Sequence, residues 1–97
     1  MKLRTRIRSV SKLQARRLRI YAVIRKTYLL EHPICEVCKT AWSDQVHHVR
    51  GRSGELLFAT KYFKAMCFKC HDATHRYPEV SRRAGLLAQR GDWGRKP

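Results

Sequence analysis

Residues 67–75 read CFKCHDATH, and this stretch limits the folds that are open to the chain. It joins a Cys-x-x-Cys pair to two histidines spaced four apart, while an earlier Cys-x-x-Cys pair lies at residues 35–38 and a histidine doublet at residues 47–48. All four cysteines of the chain belong to these two pairs. Four thiolates complete a tetrahedral zinc site. The spacing therefore predicts a structural zinc ion held by Cys35, Cys38, Cys67 and Cys70, and it leaves the histidines for a second site.

The cysteines have two alternative uses. They could form two disulfides, as in small secreted proteins, although the first 19 residues are strongly basic and lack the apolar core of a signal peptide. Cys67, Cys70 and His71 also spell the attachment motif of a c-type haem. A haem, however, leaves the other cysteine pair and the histidine doublet without a role. A zinc ion uses all four cysteines and leaves the histidine doublet available for a second site.

The chain is strongly cationic for its size. Its 97 residues suit a single domain, and 22 basic residues against 7 acidic ones give a formal charge of +15 and an isoelectric point near 10.6. A charge of this sign favours polyanionic partners, either nucleic acid or an anionic membrane surface. No apolar run approaches the roughly 18 residues of a membrane-spanning helix. The expected partner is therefore nucleic acid rather than a membrane.

The N-terminal third of the chain predicts an arm followed by a basic helix. Residues 1–10 alternate basic and apolar side chains and are predicted to be a flexible arm. The helix is predicted over residues 11–32, opening with Ser11 and Gln14 as a capping box and ending before Pro33. Its predicted buried stripe consists of Leu13, Ile20, Tyr21, Ile24 and Tyr28. An Arg-rich, acid-poor start also fits a mitochondrial transit peptide, but removing this helix would leave the zinc region little to pack against.

The rest of the chain divides into a core and a C-terminal segment. Residues 33–77 hold the cysteine pairs and the histidine doublet and form the predicted core. Residues 78–97 are predicted to be a C-terminal helix, expected over residues 81–89, and a tail in which Trp93 is loosely held. Residues 11–97 together are predicted to form one domain.

The histidines predict a second metal site with an open coordination position. His71 and His75 lie four residues apart, so on a helix they share a face. Neighbouring residues on a strand point to opposite faces. One member of the His47–His48 doublet is therefore expected to complete the ligand set, and the other to be free for proton transfer. Neutral imidazoles leave the charge of a divalent ion uncompensated, so the site is suited to attract a phosphate and to stabilise its extra charge during attack.

The order Cys-x-x-Cys, His-His, Cys-x-x-Cys-His-x-x-x-His resembles that of the HNH endonucleases, in particular the small phage type. Residues 32–38 (HPICEVC) and 46–52 (VHHVRGR) are similar to that group as well, and the resemblance covers most of the chain from Tyr21 onward. It implies an α+β fold, a small ββα-metal domain with a zinc ribbon-like structural site and a basic N-terminal helix. It also implies a metal-dependent DNA endonuclease that hydrolyses phosphodiester bonds, by nicking or by double-strand cleavage.

The resemblance implies a role for each histidine. His47, His71 and His75 would hold a catalytic divalent cation (Mg²⁺, Mn²⁺, Ni²⁺ or Zn²⁺), and His48 would be the general base. By the same resemblance the protein is expected to be phage-encoded, monomeric and located in the host cytoplasm, and to work with terminase or portal proteins of a packaging machine. Phosphate contacts are expected from the basic residues Arg16, Arg17, Arg25, Lys26, Arg50 and Arg52.

One departure from the family bears on activity. The family carries a central asparagine that helps to orient the base histidine, and this chain contains none; Tyr62 lies at the matching position, nine residues before His71. A tyrosine hydroxyl or a backbone carbonyl is expected to hold the imidazole instead. The alternative function is a non-catalytic, basic, zinc-bound nucleic-acid-binding module, either a degenerate HNH domain or a ribosome-type protein. Such a module would not require the set of four histidines.

Overall fold

A computed structural model describes residues 11–95, so the predicted arm (residues 1–10) and the last two residues lie outside the described part of the chain. Within this range the fold is α+β, as expected, with a two-stranded antiparallel sheet and three helices. In chain order the elements are α1 (Lys12–Glu31), β1 (Gln45–His48), β2 (Phe63–Met66), α2 (Phe68–Arg76) and α3 (Pro78–Arg83). Two 3₁₀ turns lie between the strands, at Gly54–Leu57 and Thr60–Tyr62.

Helix α1 begins and ends where the sequence predicts. The Ser11 hydroxyl accepts a hydrogen bond from the backbone N–H of Gln14 at 3.0 Å, and the backbone N–H of His32 donates to the carbonyl of Tyr28 at 2.9 Å just before Pro33. These contacts satisfy backbone groups that a helix end leaves unpaired. Helix α1 thus spans Lys12–Glu31, with Ser11 and His32, the ends of the predicted range, as its capping residues.

The predicted buried stripe of α1 is only partly correct. Tyr21 and Tyr28 are buried and Ile24 packs against them, but Leu13 is 66% exposed and Ile20 47% exposed. The reason is length. A helix of 20 residues spans about 30 Å, whereas strands of four residues span about 13 Å. The short sheet packs on the part of α1 around Tyr21 and Tyr28, and Leu13 near the start of the helix stays exposed.

The two faces of the sheet pack against different helices. Its register pairs Gln45 with Met66, His47 with Lys64 and His48 with Phe63, and side chains of directly paired residues lie on the same face. The face with His47 and Met66 turns toward α2, where the Thr74 hydroxyl contacts the Met66 sulfur at 3.7 Å. The other face packs on α1 in a core that consists of Tyr21, Tyr28, Val46, Leu57, Phe63 and Ala65.

The C-terminal segment differs from the prediction. Helix α3 begins at Pro78 and ends at Arg83, rather than spanning residues 81–89. Proline is favoured in the first turn of a helix. At the other end Gly85 adopts a φ of +79°, and glycine is the residue that reaches this left-handed conformation without steric cost. The helix therefore begins three residues and ends six residues earlier than its apolar pattern indicated.

The tail after α3 runs back across the end of β1. The backbone N–H of Ala88 donates to the Val49 carbonyl at 2.9 Å, and that of Gly94 donates to the Arg50 carbonyl at 2.7 Å. The Trp93 ring packs so closely on Gly51 that a Cβ added there would lie 3.1 Å from a ring carbon. The prediction of a loosely held Trp93 is wrong, because the carbonyls of Val49 and Arg50, which follow β1, accept hydrogen bonds from this segment. No helix within residues 11–95 combines the length and the apolarity needed to cross a bilayer.

Candidate functional site

The four cysteines come together as predicted. Their sulfur atoms all lie within 4.8 Å of one another. The first pair lies in a loop closed by a β-bridge between Ile34 and Trp42, in which the backbone N–H of Cys35 donates to the Ala41 carbonyl at 2.8 Å. The second pair opens α2, with Cys67 at its N-cap. Four thiolates at this spacing fit a structural zinc ion.

Hydrogen bonds lower the pKa of two of these cysteines, Cys35 and Cys38, whereas burial and the neighbouring sulfurs raise the pKa of Cys70 to about 12. The Thr40 hydroxyl contacts the Cys38 sulfur at 3.4 Å, and this bond, together with backbone N–H groups, lowers the pKa of Cys38 to about 5. Burial raises the pKa of Cys35, but hydrogen bonds from backbone N–H groups, including that of Val37 at 3.4 Å, outweigh it and the pKa falls below its usual value. Because only thiolates bind zinc, lowered pKa values favour metal binding at neutral pH.

Three of the four predicted site histidines form a second cluster. His47 projects from β1, and His71 and His75 project from one face of α2. The ring centroids lie 5.2 Å apart for His47–His71 and for His47–His75, and 4.9 Å apart for His71–His75. One nitrogen from each ring lies within 4.8 Å of the others. His47 is buried and His75 is exposed, so this cluster, the histidine triad, has a closed end and an end open to solvent.

Hydrogen bonds determine which nitrogen of two triad rings faces the cluster. His47 Nε2 lies 2.6 Å from the backbone carbonyl of Leu86, and a carbonyl only accepts, so Nε2 carries the proton and Nδ1 has the free lone pair. His71 Nδ1 bonds to the side-chain oxygen of Gln45, which leaves His71 Nε2 free, 3.3 Å from His75 Nε2. The free nitrogens of a neutral triad fit a divalent cation.

Burial favours the uncharged form of two triad rings, those of His47 and His71. It lowers the pKa of His47 to about 4, and the neighbouring His71 and His75 lower it further while the bond to Leu86 opposes the shift. Burial likewise lowers the pKa of His71, with a contribution from His75. Neutral imidazole is the form that binds metal. The two rings are therefore ready for a cation at physiological pH.

His48 lies on the opposite face of β1 from the triad. Its ring contacts Phe63 and Tyr21, with centroid distances of 4.6 Å and 5.3 Å, and the residue is only 7% exposed. Burial, with a contribution from Arg52, lowers the pKa of His48 to about 4, against a hydrogen bond to the backbone of Leu57. Its Nε2 is buried with no hydrogen-bond partner within residues 11–95.

Tyr62 stands at the position where the resemblance to HNH endonucleases expects an asparagine. The backbone carbonyl of Tyr62 accepts a hydrogen bond from the N–H of Val49 at 2.9 Å, and the Tyr62 ring lies beneath the Arg50 guanidinium, 5.8 Å from its carbon. The His48 ring hydrogen-bonds to the backbone of Leu57. Of the two expected substitutes, the backbone contact is therefore the one that forms.

Three of the six predicted phosphate-binding residues contact the protein's own backbone. The guanidinium groups of Arg17, Arg25 and Arg50 donate to the carbonyls of Gly54, Asp44 and Arg95 at 2.8, 2.9 and 2.7 Å. Arg52 is exposed and lies over the Tyr21 ring, 5.1 Å from its centroid. Arg16 and Lys26 are exposed on α1. Of these six basic residues, those that contribute least to holding the fold together are thus Arg16, Lys26 and Arg52.

Two residues that contact the triad rings, Gln45 and Leu86, are not among the predicted site residues. Leu86 contributes a backbone carbonyl, which has no residue signature. Gln45 is visible as a polar residue on the same strand face as His47. Comparison of the chain with family models, curated proteins and solved structures gave no significant match.

Proposed function

We propose that the protein is a metal-dependent endonuclease that hydrolyses phosphodiester bonds in DNA. The observation that carries this proposal is the histidine triad, in which one nitrogen each of His47, His71 and His75 lies within 4.8 Å of the others. A packed core does not need three imidazoles with converging lone pairs. The cysteine cluster already offers a closed site for a structural ion, so the triad is free for chemistry.

Cation binding, proton acceptance and phosphate contact are assigned to different residues of the chain. The triad holds a divalent cation, which when bound stabilises negative charge that develops on a phosphate. His48 Nε2 is the proton acceptor for the attacking water, since it has a free lone pair and no competing partner within residues 11–95. Arg52, beside His48, is the cation that contacts the phosphate backbone, and Arg16 and Lys26 extend this contact along α1.

A second candidate function rests on the burial of His48. A general base must reach its water, and His48 is 7% exposed on the face of β1 that turns away from the triad. A chain in which this ring stays buried would bind nucleic acid through its basic surface without cutting it. The second candidate is therefore a non-catalytic, basic, zinc-bound module that binds nucleic acid.

Nicking of supercoiled plasmid separates the two functions. The zinc-loaded protein is incubated with plasmid in EDTA and with Mg²⁺, Mn²⁺, Ni²⁺ or Zn²⁺, alongside the variants His48→Ala, His75→Ala and His32→Ala. His32 lies at the end of α1, where its ring stacks on Tyr28, so its variant controls for the loss of a histidine as such. We expect metal-dependent nicking by the wild type and by His32→Ala, and loss of nicking in the other two variants.

DNA binding is measured on the same proteins at several salt concentrations. The proposed nuclease requires that His48→Ala binds DNA as tightly as the wild type while it fails to cut. Tight, salt-dependent binding by the wild type without cleavage under any metal would refute the nuclease and establish the binding module. Cleavage by His48→Ala at the wild-type rate would refute the role of His48 alone.

A further inference from the structure

Within residues 11–95, the side-chain amide of Gln45 contacts the His71 ring of the triad, and at this position the resemblance would expect an acidic residue. We infer that Gln45 is a positioning residue that holds His71 in the tautomer and orientation required to bind a cation. The inference rests on the proposed metal site and adds a residue to it. It gives a function to the polar residue that begins β1.

The fold brings Gln45 to His71 through strand alternation. Gln45 and His47 are two residues apart on β1, so both side chains point to the face that α2 covers. The second cysteine pair ends one residue before His71, which fixes the start of α2 against this face. The side-chain oxygen of Gln45 meets His71 Nδ1 there. The contact therefore joins elements that the cysteine cluster has already placed.

The chemistry of the contact selects one of two forms of His71. A neutral imidazole carries its proton on either nitrogen, and an amide oxygen accepts only from the protonated one. Gln45 therefore stabilises the form with the proton on Nδ1 and the lone pair on Nε2, the nitrogen that lies 3.3 Å from His75 Nε2. The opposite form would direct an N–H group into the cluster, where a cation binds.

His47 shows the same arrangement with a backbone acceptor. Its Nε2 donates to the Leu86 carbonyl at 2.6 Å, and its Nδ1 is left free. Two triad rings are thus oriented by neutral acceptors on their outer nitrogens, the arrangement by which proteins fix metal-binding histidines. His71 is half-buried, so without Gln45 its ring would lose this restraint. Of the two acceptors, Gln45 alone can be removed by substitution.

Cation affinity of the triad tests this role without reference to activity. Protein with zinc in the cysteine cluster is titrated with Ni²⁺ by calorimetry, and we compare the wild type with Gln45→Leu, Gln45→Glu and Gln89→Leu. Gln45→Leu keeps a similar volume but has no acceptor. Gln45→Glu keeps an acceptor, and Gln89→Leu removes an exposed amide elsewhere.

We expect one additional Ni²⁺ per wild-type chain and roughly 10- to 100-fold weaker binding by Gln45→Leu, the usual cost of losing such a partner. Gln45→Glu is expected to bind at least as tightly as the wild type, since a carboxylate makes the imidazole more basic, and Gln89→Leu to match the wild type. A Gln45→Leu affinity within two-fold of the wild type would overturn the inference while leaving the metal site intact.

Two other outcomes have separate meanings. Weak binding by Gln45→Glu, as weak as by Gln45→Leu, would show that Gln45 only packs β1 on α2, and this too would overturn the positioning role. If the wild type takes up no Ni²⁺ beyond its zinc, the triad is not a metal site. In that case the proposed function fails and the role of Gln45 falls with it.

Discussion

The burial of His48 predicts how the stability of the domain responds to acid. The ring lies between Tyr21 and Phe63, and burial, with a contribution from Arg52, lowers its pKa from 6.5 to about 4. A histidine with a lowered pKa in the folded state binds protons more readily in the unfolded chain. Its contribution to stability is therefore fully present above pH 6.5 and is lost as the pH falls from there toward 4.

The size of this effect follows from the two pKa values. Each pKa unit corresponds to about 1.4 kcal/mol, so linkage between pH 7 and pH 5 gives a loss of about 2 kcal/mol from His48 alone. The matched variant is His48→Asn, because asparagine does not titrate and its amide nitrogen takes the place of Nδ1, the His48 nitrogen that bonds Leu57 when Nε2 has no partner. The wild type is expected to lose about 2 kcal/mol more than this variant over the same pH interval.

Urea unfolding at pH 7 and pH 5 measures the difference. His47, with its pKa lowered to about 4, and Cys38, with its pKa lowered to about 5, are present in both proteins, so the comparison removes most of their contribution. The zinc content is determined at each pH, so that metal loss is not mistaken for protonation. Equal losses of stability in the two proteins would refute the reasoning, since His48 would then be protonated as easily in the folded domain as in water.

Three further predictions concern the fold. Cys35→Ser should release zinc and unfold the domain, because structural zinc supplies about 10–16 kcal/mol and a small domain is stable by about 5–15 kcal/mol; an unchanged melting temperature with full zinc would contradict this. Tyr28→Phe removes a hydroxyl that contacts the Glu36 carboxylate at 2.8 Å and should cost about 1.5–3 kcal/mol in chemical unfolding; wild-type stability would show that this bond contributes nothing. Gly51→Ala should both destabilise the domain and shift tryptophan emission, because a Cβ there lies 3.1 Å from the Trp93 ring. Gly91→Ala, at a similar φ of +88° but with open space around it, should destabilise without the emission shift, and identical emission of the two variants would contradict the contact.

The parts of the site that the sequence predicts are those set by local geometry. His71 and His75 share a face because four residues make about one helical turn. His47 and His48 lie on opposite faces because a strand alternates. The cysteine pairs come together because their spacing fits one ion. Each of these inferences needs only the period of one element and the preference of one metal.

The parts that the sequence does not predict depend on distant backbone groups. The contact between His47 and the Leu86 carbonyl joins residues 39 apart, and any residue type could supply that oxygen. Arg17, Arg25 and Arg50 donate to carbonyls of their own chain, which a count of basic residues cannot distinguish from phosphate contacts. The exposed half of α1 likewise reflects the length of the sheet beside it, which is not a property of the helix.

The two candidate functions differ in what they ask of His48. A buried nitrogen without a partner costs about 1–3 kcal/mol, and an apolar side chain between Tyr21 and Phe63 would fill the site without that cost. A module that only binds DNA gains nothing from the imidazole. A nuclease needs a lone pair that no other group occupies, and His48 Nε2 is such an atom within residues 11–95. The partnerless nitrogen of His48 is therefore an argument for catalysis, whereas the burial of its ring favours the binding module.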